Sequence, residues 1–192
     1  EWVTLQQIRA QLPTDSVLVE FVRITPYTIE ADGAQAEKHR YAAWIIPPAG
    51  KGRIQTIDLG SASEIEATLR TGLQSIQKGA AQTLQTGESQ ATAATQKLLQ
   101  ALFQQTLKPL LPHLTNVQQV ILSPDASLWL VPWAALPLEK DRFAVEQFEF
   151  RFVVSGRELL ADRQGSSSGV TAPVIFANPD YNLFGLSQSE QP

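Results

Sequence analysis

Residues 117–136, VQQVILSPDASLWLVPWAAL, decide how this chain is read. An apolar run stops at Ser123-Pro124-Asp125-Ala126-Ser127 and restarts at once as Leu128-Trp129-Leu130-Val131-Pro132-Trp133. The pattern predicts a buried strand, a tight turn, and a second short apolar strand stopped by proline. The turn has its own chemistry: Pro124 presets φ, Asp125 can bond the backbone just ahead, and Ser127 can do the same more weakly. Nothing in it is catalytic by itself. Asp125, Ser127 and Pro132 turn the chain, and Trp133 is a wedge for the core.

Just before this stretch, Leu98, Leu99, Leu102, Phe103, Leu107 and Leu110 recur at helical spacing, and Pro109 and Pro112 close that helix. After it, residues 148–154 (FEFRFVV) alternate as a strand does, and Ser155 can cap a helix over 156–162. A Gly/Ser loop at 164–169 leads to a short apolar strand at 172–178, which ends in Asn178-Pro179-Asp180-Tyr181. Strands alternating with helices from residue 53 onward predict an α/β layered architecture whose later strands are parallel and covered on both faces. An open α/β sheet places its site at the carboxyl ends of its strands, which singles out Asn178 and Asp180.

The first third has a different grammar. Leu5, Ile8 and Leu12 make a short amphipathic helix with Thr4 as N-cap and Pro13 as its stop. Residues 16–25 (SVLVEFVRIT) predict a strand with two unequal faces, interrupted by Glu20 and Arg23. Residues 28–40 hold the turn pair Asp32-Gly33 and read as a hairpin-like excursion. Strands at 41–46 and 53–59 follow, joined by the turn cluster Pro47-Pro48-Ala49-Gly50-Lys51-Gly52, and the three strands read as a meander. At 61–77 the period changes from two to about 3.6, with Ser61 or Ser63 as cap and Glu64 and Glu66 in the first turn. Residues 79–95 are rich in Ala, Gln, Thr and Gly and predict a mobile connection that cannot build a core. The organisation expected is therefore a helix plus meander over 1–60, a helical segment over 61–112, and the start of a further core over 113–192.

Composition excludes several function classes. With 43% hydrophobic and 18% charged residues in 192 positions the chain can bury a sizeable core, and no apolar run is long enough to span a membrane. A net charge of −4 with 15 scattered basic residues argues against a nucleic-acid surface. Zero cysteine removes disulfides, thiolate metal sites and a cysteine nucleophile within these residues. His39 and His113 lie far from any carboxylate pair at ligand spacing, so no metal site is expected, and both read as solvated or helix-terminal residues. No Gly-x-Ser-x-Gly elbow and no glycine-rich phosphate loop is present, and no cofactor is expected. The chain starts at Glu1 and contains no methionine, which reads as a processed product or an excised segment.

Taken in order, Leu18-Val19-Glu20-Phe21, residues 41–46 (YAAWII), Ile57-Asp58-Leu59-Gly60, residues 122–136 and Phe176-Ala177-Asn178-Pro179-Asp180-Tyr181 resemble the N-terminal part of a CHAT domain. The resemblance runs from roughly residue 4 to 183, with 121–136 its most specific piece, and the long excursion at 26–40 looks most like cyanobacterial members. It implies a caspase-like cysteine peptidase fold related to caspases and separase, often preceded by tetratricopeptide repeats in a cytoplasmic protein. Members carry a His after one core strand and a Cys after the next. Neither motif occurs here, so neither His39 nor His113 is promoted to a catalytic role.

Two functions from different classes follow. In one, the chain is the N-terminal part of a cysteine endopeptidase whose dyad lies on residues after Pro192, and its partners are the C-terminal half of the same domain and a protein or peptide substrate. Asn178, Asp180 and Tyr181 are then candidates for one wall of the substrate pocket, by analogy of fold, and an Asp180 carboxylate in that pocket would favour a basic substrate residue. In the other, the chain is a non-catalytic scaffold or regulatory module. Either way, an unpaired strand edge with apolar surface is expected wherever the second half is missing.

Overall fold

The computed structural model describes residues 2–30, 33–36, 38–86, 88–139 and 142–161. Helix α1 (Leu5–Gln11) begins as its sequence predicts: the Gln7 N–H donates to Thr4 Oγ1 at 3.3 Å and the Thr4 N–H donates to Gln7 Oε1 at 2.7 Å, a reciprocal capping box. Strand β1 (Ser16–Ile24) follows, then the small antiparallel hairpin β2 (Tyr27–Glu30) and β3 (Gly33–Ala36), and then β4 (Arg40–Ile46) and β5 (Gln55–Ser61). β4 runs antiparallel to β1, with Leu18 opposite Ile46 and Arg23 opposite Tyr41, and β5 runs antiparallel to β4. The predicted meander and its hairpin excursion are both present.

Two helices come next, α2 (Ala62–Thr86) and α3 (Glu88–Gln105). Here the expectation of a mobile connection over 79–95 is corrected, because helix occupies that stretch on both sides of Gly87. Ala and Gln rank among the stronger helix formers, so a segment with few bulky apolar residues still favours helix through its backbone. Strand β6 (Gln119–Ser123) returns the chain to the sheet parallel to β1, with Val17 opposite Val120 and Val19 opposite Leu122. A two-stranded hairpin that the sequence reading missed, β7 (Pro137–Glu139) with β8 (Arg142–Phe143), precedes β9 (Glu149–Phe152), which runs parallel to β6. Helix α4 (Glu158–Ala161) closes the described chain.

The main sheet has the order β5-β4-β1-β6-β9. Its first two pairings are antiparallel and its last two parallel, so among the described residues the sheet is mixed, with the later strands parallel as expected. The reason is that the meander joins the same sheet as the later strands, with β1 shared between the two halves.

Side-chain alternation along β1 sorts the core into two layers. Val17, Val19 and Phe21 face α2 and α3, with Tyr41, Ala43, Ile65, Leu69, Leu102, Leu107, Leu122 and Trp133 in the same cluster. Leu18 faces the other way, among Leu12, Ile46, Ile121, Val153 and Leu159 beneath α1 and α4. Each of these fully buried aliphatic side chains contributes roughly 1.5–3 kcal/mol relative to exposure. β1 and β6 are therefore covered on both faces, the condition for a parallel pair to be stable.

The restart after Asp125 is not a second strand. Residues Ala126–Leu130 and Trp133–Ala135 form successive 3-10 turns. Ala126 adopts a left-handed φ of 47° that folds the chain back, and the Leu128 and Val131 N–H groups then donate three residues back, to Asp125 O and Leu128 O. Pro132 lacks an N–H and breaks any ladder a strand would need. Trp133 is nevertheless the predicted wedge: it is buried, its indole N–H donates to Leu128 O at 3.2 Å, and its ring lies 5.0 Å from that of Phe21.

Candidate functional site at the carboxyl ends of the parallel strands

β1, β6 and β9 point the same way, and a connected set of polar side chains gathers at their carboxyl ends. The Asp125 carboxylate does not bond the backbone just ahead of it. It reaches across the sheet and accepts the Arg23 N–H at 2.7 Å. That amide lies one residue before the end of β1, so the Asp caps the strand and ties the turn after β6 to it. Ser123 ties the neighbouring strand down in turn, its hydroxyl donating to Val154 O at 2.8 Å.

A second set of bonds shares the Glu66 carboxylate. Arg23 Nε donates to Glu66 Oε1 at 2.9 Å, and the Tyr41 hydroxyl donates to the same oxygen at 3.0 Å. Tyr41 Oη in turn accepts the Ser127 N–H at 3.3 Å. The chain from Arg23 through Glu66 and Tyr41 to Ser127 thus joins β1, α2, β4 and the turn after β6. Burial, reinforced by the hydrogen bond to Glu66 and its charge, pushes the Tyr41 hydroxyl above its ordinary value, so the phenol keeps its proton and remains a donor.

On the opposite face of β1, Glu20 accepts the Gly156 N–H at 2.8 Å. Gly156 is required by space there: a Cβ would stand 2.7 Å from Leu18 Cδ2 and 3.1 Å from Ile8 Cγ2. Glu158 caps the same segment by accepting the Val154 N–H at 3.1 Å. Nearer the hairpin, Thr25 Oγ1 and His39 Nδ1 are 2.6 Å apart on the surface, and the His39 carbonyl accepts the Ala62 N–H. No carboxylate among the described residues orients the other ring nitrogen of His39, so the pair lacks the third member of a hydrolytic triad. His113 ends a 3-10 turn at the far end of the sheet.

Chemically the edge is a knot. Its carboxylates, its phenol and its guanidinium are already engaged with one another or with backbone. Among the described residues no group of three His, Asp or Glu side chains could hold a metal ion. No helix there is long and apolar enough to cross a membrane. Asn178, Asp180 and Tyr181, the residues singled out in the sequence, lie outside the described residues. The residues that do meet at this edge, Arg23, Tyr41 and Glu66, were not singled out as a site. A charge at the end of each apolar strand was visible, but nothing in the sequence says that positions 23, 41, 66 and 125 converge.

A family model for the CHAT domain matches residues 96–191, from within α3 through α4 and beyond. The chain belongs to the CHAT domain family. No curated protein and no solved structure matches it. In this CHAT domain the matched half supplies Ser123, Asp125, Ser127 and Trp133, while residues before the match supply Glu20, Arg23, Tyr41 and Glu66. The knot is where the two halves are bonded together. The mixed α/β fold, with the parallel pair β1 and β6 covered on both faces, agrees with a caspase-like architecture.

Proposed function

We propose that this chain is the N-terminal part of a CHAT-family caspase-like cysteine endopeptidase, with its His/Cys dyad on residues after Pro192. The observation that carries this reading is the CHAT domain match over 96–191 in a sequence that has no cysteine. The chain's part in catalysis is then to build half of the sheet and to hold the strand ends beside which a dyad and a peptide would meet. The thiolate that attacks a peptide carbonyl, and the imidazole that activates it, come from the missing half. Asn178, Asp180 and Tyr181 follow the last predicted strand and supply one wall of the substrate pocket. An apolar surface supports the proposal: Trp129, Leu130, Phe152 and Val154 are exposed beside β9, which has a sheet neighbour on one side only among the described residues. Further strands of the same domain would cover it. A bacterial, cytoplasmic setting with tetratricopeptide repeats upstream belongs to the same reading.

The test is to express the chain alone and extended through the residues that follow it, and to assay both on fluorogenic peptides ending in basic or acidic residues. The chain alone is expected to give no turnover, and the extended form is expected to cleave and to lose cleavage when its cysteine is replaced by alanine. Turnover by the chain alone, or following residues that hold no His and Cys after successive apolar strands, would sink the reading.

A scaffold role is the second reading, favoured by one observation. The polar groups at the strand ends bond to one another or to backbone, as in a structural clamp, and leave no pair poised for chemistry among the described residues. An extended chain that is inactive but binds a protein partner through this region would support it.

A further inference from the structure

The other end of the parallel strands carries a different arrangement. A cleft of about 470 Å³ opens between the turn joining β4 to β5 and the segment leading into β6. That volume falls within the range typical of small-molecule sites. Its lining mixes polar side chains with the partly exposed Pro47 and Val117, which lie over the buried Val17 and Ile45. Lys51 and Arg53 line one rim, His113 and Asn116 the other.

Neither Lys51 nor Arg53 has an ion-pair or hydrogen-bonding partner for its side chain among the described residues. Asp15 is the one carboxylate lining the cleft, so two cations face one anion in a chain whose net charge is −4.

Both rims are held in place. Arg9, which does not line the cleft, donates to the carbonyls of Pro47 at 2.9 Å, Pro48 at 3.1 Å and Gly52 at 2.7 Å, and its own carbonyl accepts the Ala49 N–H. Three oxygens that would repel an anion are thereby turned to a guanidinium elsewhere. Gly50 and Gly52 give the turn the positive φ angles of 76° and 139° that this course requires. On the second rim, the Asp15 carbonyl accepts the N–H groups of both Gln118 and Gln119, and Asn116 takes a left-handed φ of 62°. Cations on a pre-set frame bind with less loss of freedom than cations on a loose loop.

We infer that this cleft binds a small molecule with an anionic group and an apolar body, the phosphate or carboxylate held by Lys51 and Arg53 and the body laid on Pro47 and Val117. It stands at the opposite end of β1 from the polar knot, roughly 25 Å away at the rise of an extended strand. It is therefore independent of the peptidase reading. Lys51 and Arg53 are at least sixty residues from His113 and Asn116 in sequence, so no phosphate-binding motif announces it.

The experiment is a titration of the whole chain, followed by amide resonance shifts, with four probes: adenosine monophosphate, indole-3-acetate, adenosine and inorganic phosphate. The first two carry charge and body, one as phosphate and one as carboxylate, and their ranking tells which anion is preferred. Adenosine and phosphate each lack one half. At least one of the first two is expected to saturate in the millimolar range or below, with shifts confined to residues near 15–17, 51–53 and 113–117, and the half-probes to bind about tenfold more weakly. The double change Lys51→Ala with Arg53→Ala should weaken binding about tenfold or more, whereas Arg70→Ala, which removes an exposed cation elsewhere, should leave it unchanged. Lys51→Glu alone gives an independent reading of the same rim. No saturable shift from either full probe, shifts centred elsewhere, or binding indifferent to these rim changes would overturn the inference.

Discussion

The two ends of β1 are built from the same kinds of residue and put them to opposite uses. At the carboxyl end, Arg23, Glu66, Tyr41 and Asp125 bond to one another or to backbone and sit partly or wholly out of water. At the amino end, Lys51 and Arg53 stand exposed with no such partner among the described residues. The difference teaches where stability and where recognition are stored. Charges brought into a fold need partners, since an unpaired buried polar group carries its full desolvation penalty, while charges left in water retain their capacity to bind.

The comparison can be broken most decisively at Trp133. Trp133→Ala should destabilise the chain by about 3–5 kcal/mol in a denaturant melt, because it opens a cavity against Phe21 and frees the 3-10 turns after Asp125. A loss under 1 kcal/mol would mean the carboxyl end is not anchored as described.

Next comes Gly156→Ala. Its Cβ would meet Leu18 at 2.7 Å, so a cost of about 1–3 kcal/mol is expected from overpacking alone. The companion change Leu18→Ala should lessen the penalty of the glycine substitution if that contact is its source, and equal penalties in both backgrounds would refute the contact.

Asp125→Ala and Tyr41→Phe each strip one partner from a knot bond, leaving the Arg23 N–H in the first case and Glu66 and the Ser127 N–H in the second. About 1–2 kcal/mol each is expected, measured by chemical denaturation. Tyr41 also has an alkaline signature. Its folded value is raised above the ordinary 10.0, so the stability it contributes is present below pH 10 and is lost as pH rises through the folded value. Tyrosinate absorbance should therefore show one late-ionising tyrosine, absent from the Tyr41→Phe variant.

Two smaller effects complete the series. The Arg40 guanidinium, with help from the Gly60 N–H, holds the Asp58 carboxyl below its ordinary 3.8. The stability it contributes is present above that value and fades as pH falls through the lower folded one. The pair is exposed, so Asp58→Asn should lower stability at neutral pH by less than about 1 kcal/mol and flatten the acid limb of the pH profile. The rim changes at Lys51 and Arg53 should alter folding stability by no more than about 0.5 kcal/mol, since both side chains are exposed. A large loss there would make them structural and erase the contrast between the two ends.

Much of the chain was legible in its residues. Thr4 and the spacing of Leu5, Ile8 and Leu12 announced α1, the Val-rich pattern of 16–25 announced β1, and residues 117–136 announced both the family and the burial of Trp133. The errors have physical causes. Residues 128–133 have the apolar composition of a strand, but a left-handed Ala126 and the missing N–H of Pro132 make turns of them. Residues 79–95 lack bulky apolar residues, and backbone propensity alone was enough to make helix.

The sequence by itself determined α1, the meander and strands β6 and β9, the CHAT family, the absence of a thiol nucleophile within these residues and the location of the anchoring tryptophan, because periodicity, turn chemistry and composition are local properties. Only the tertiary structure decided that Arg23, Tyr41, Glu66 and Asp125 meet, and that Lys51, Arg53 and His113 share a cleft. Those meetings depend on which strands become neighbours. β1 lies between β4 and β6, its partners across two connections of unequal length, and that adjacency is set by burying both faces of one sheet rather than by any spacing along the chain.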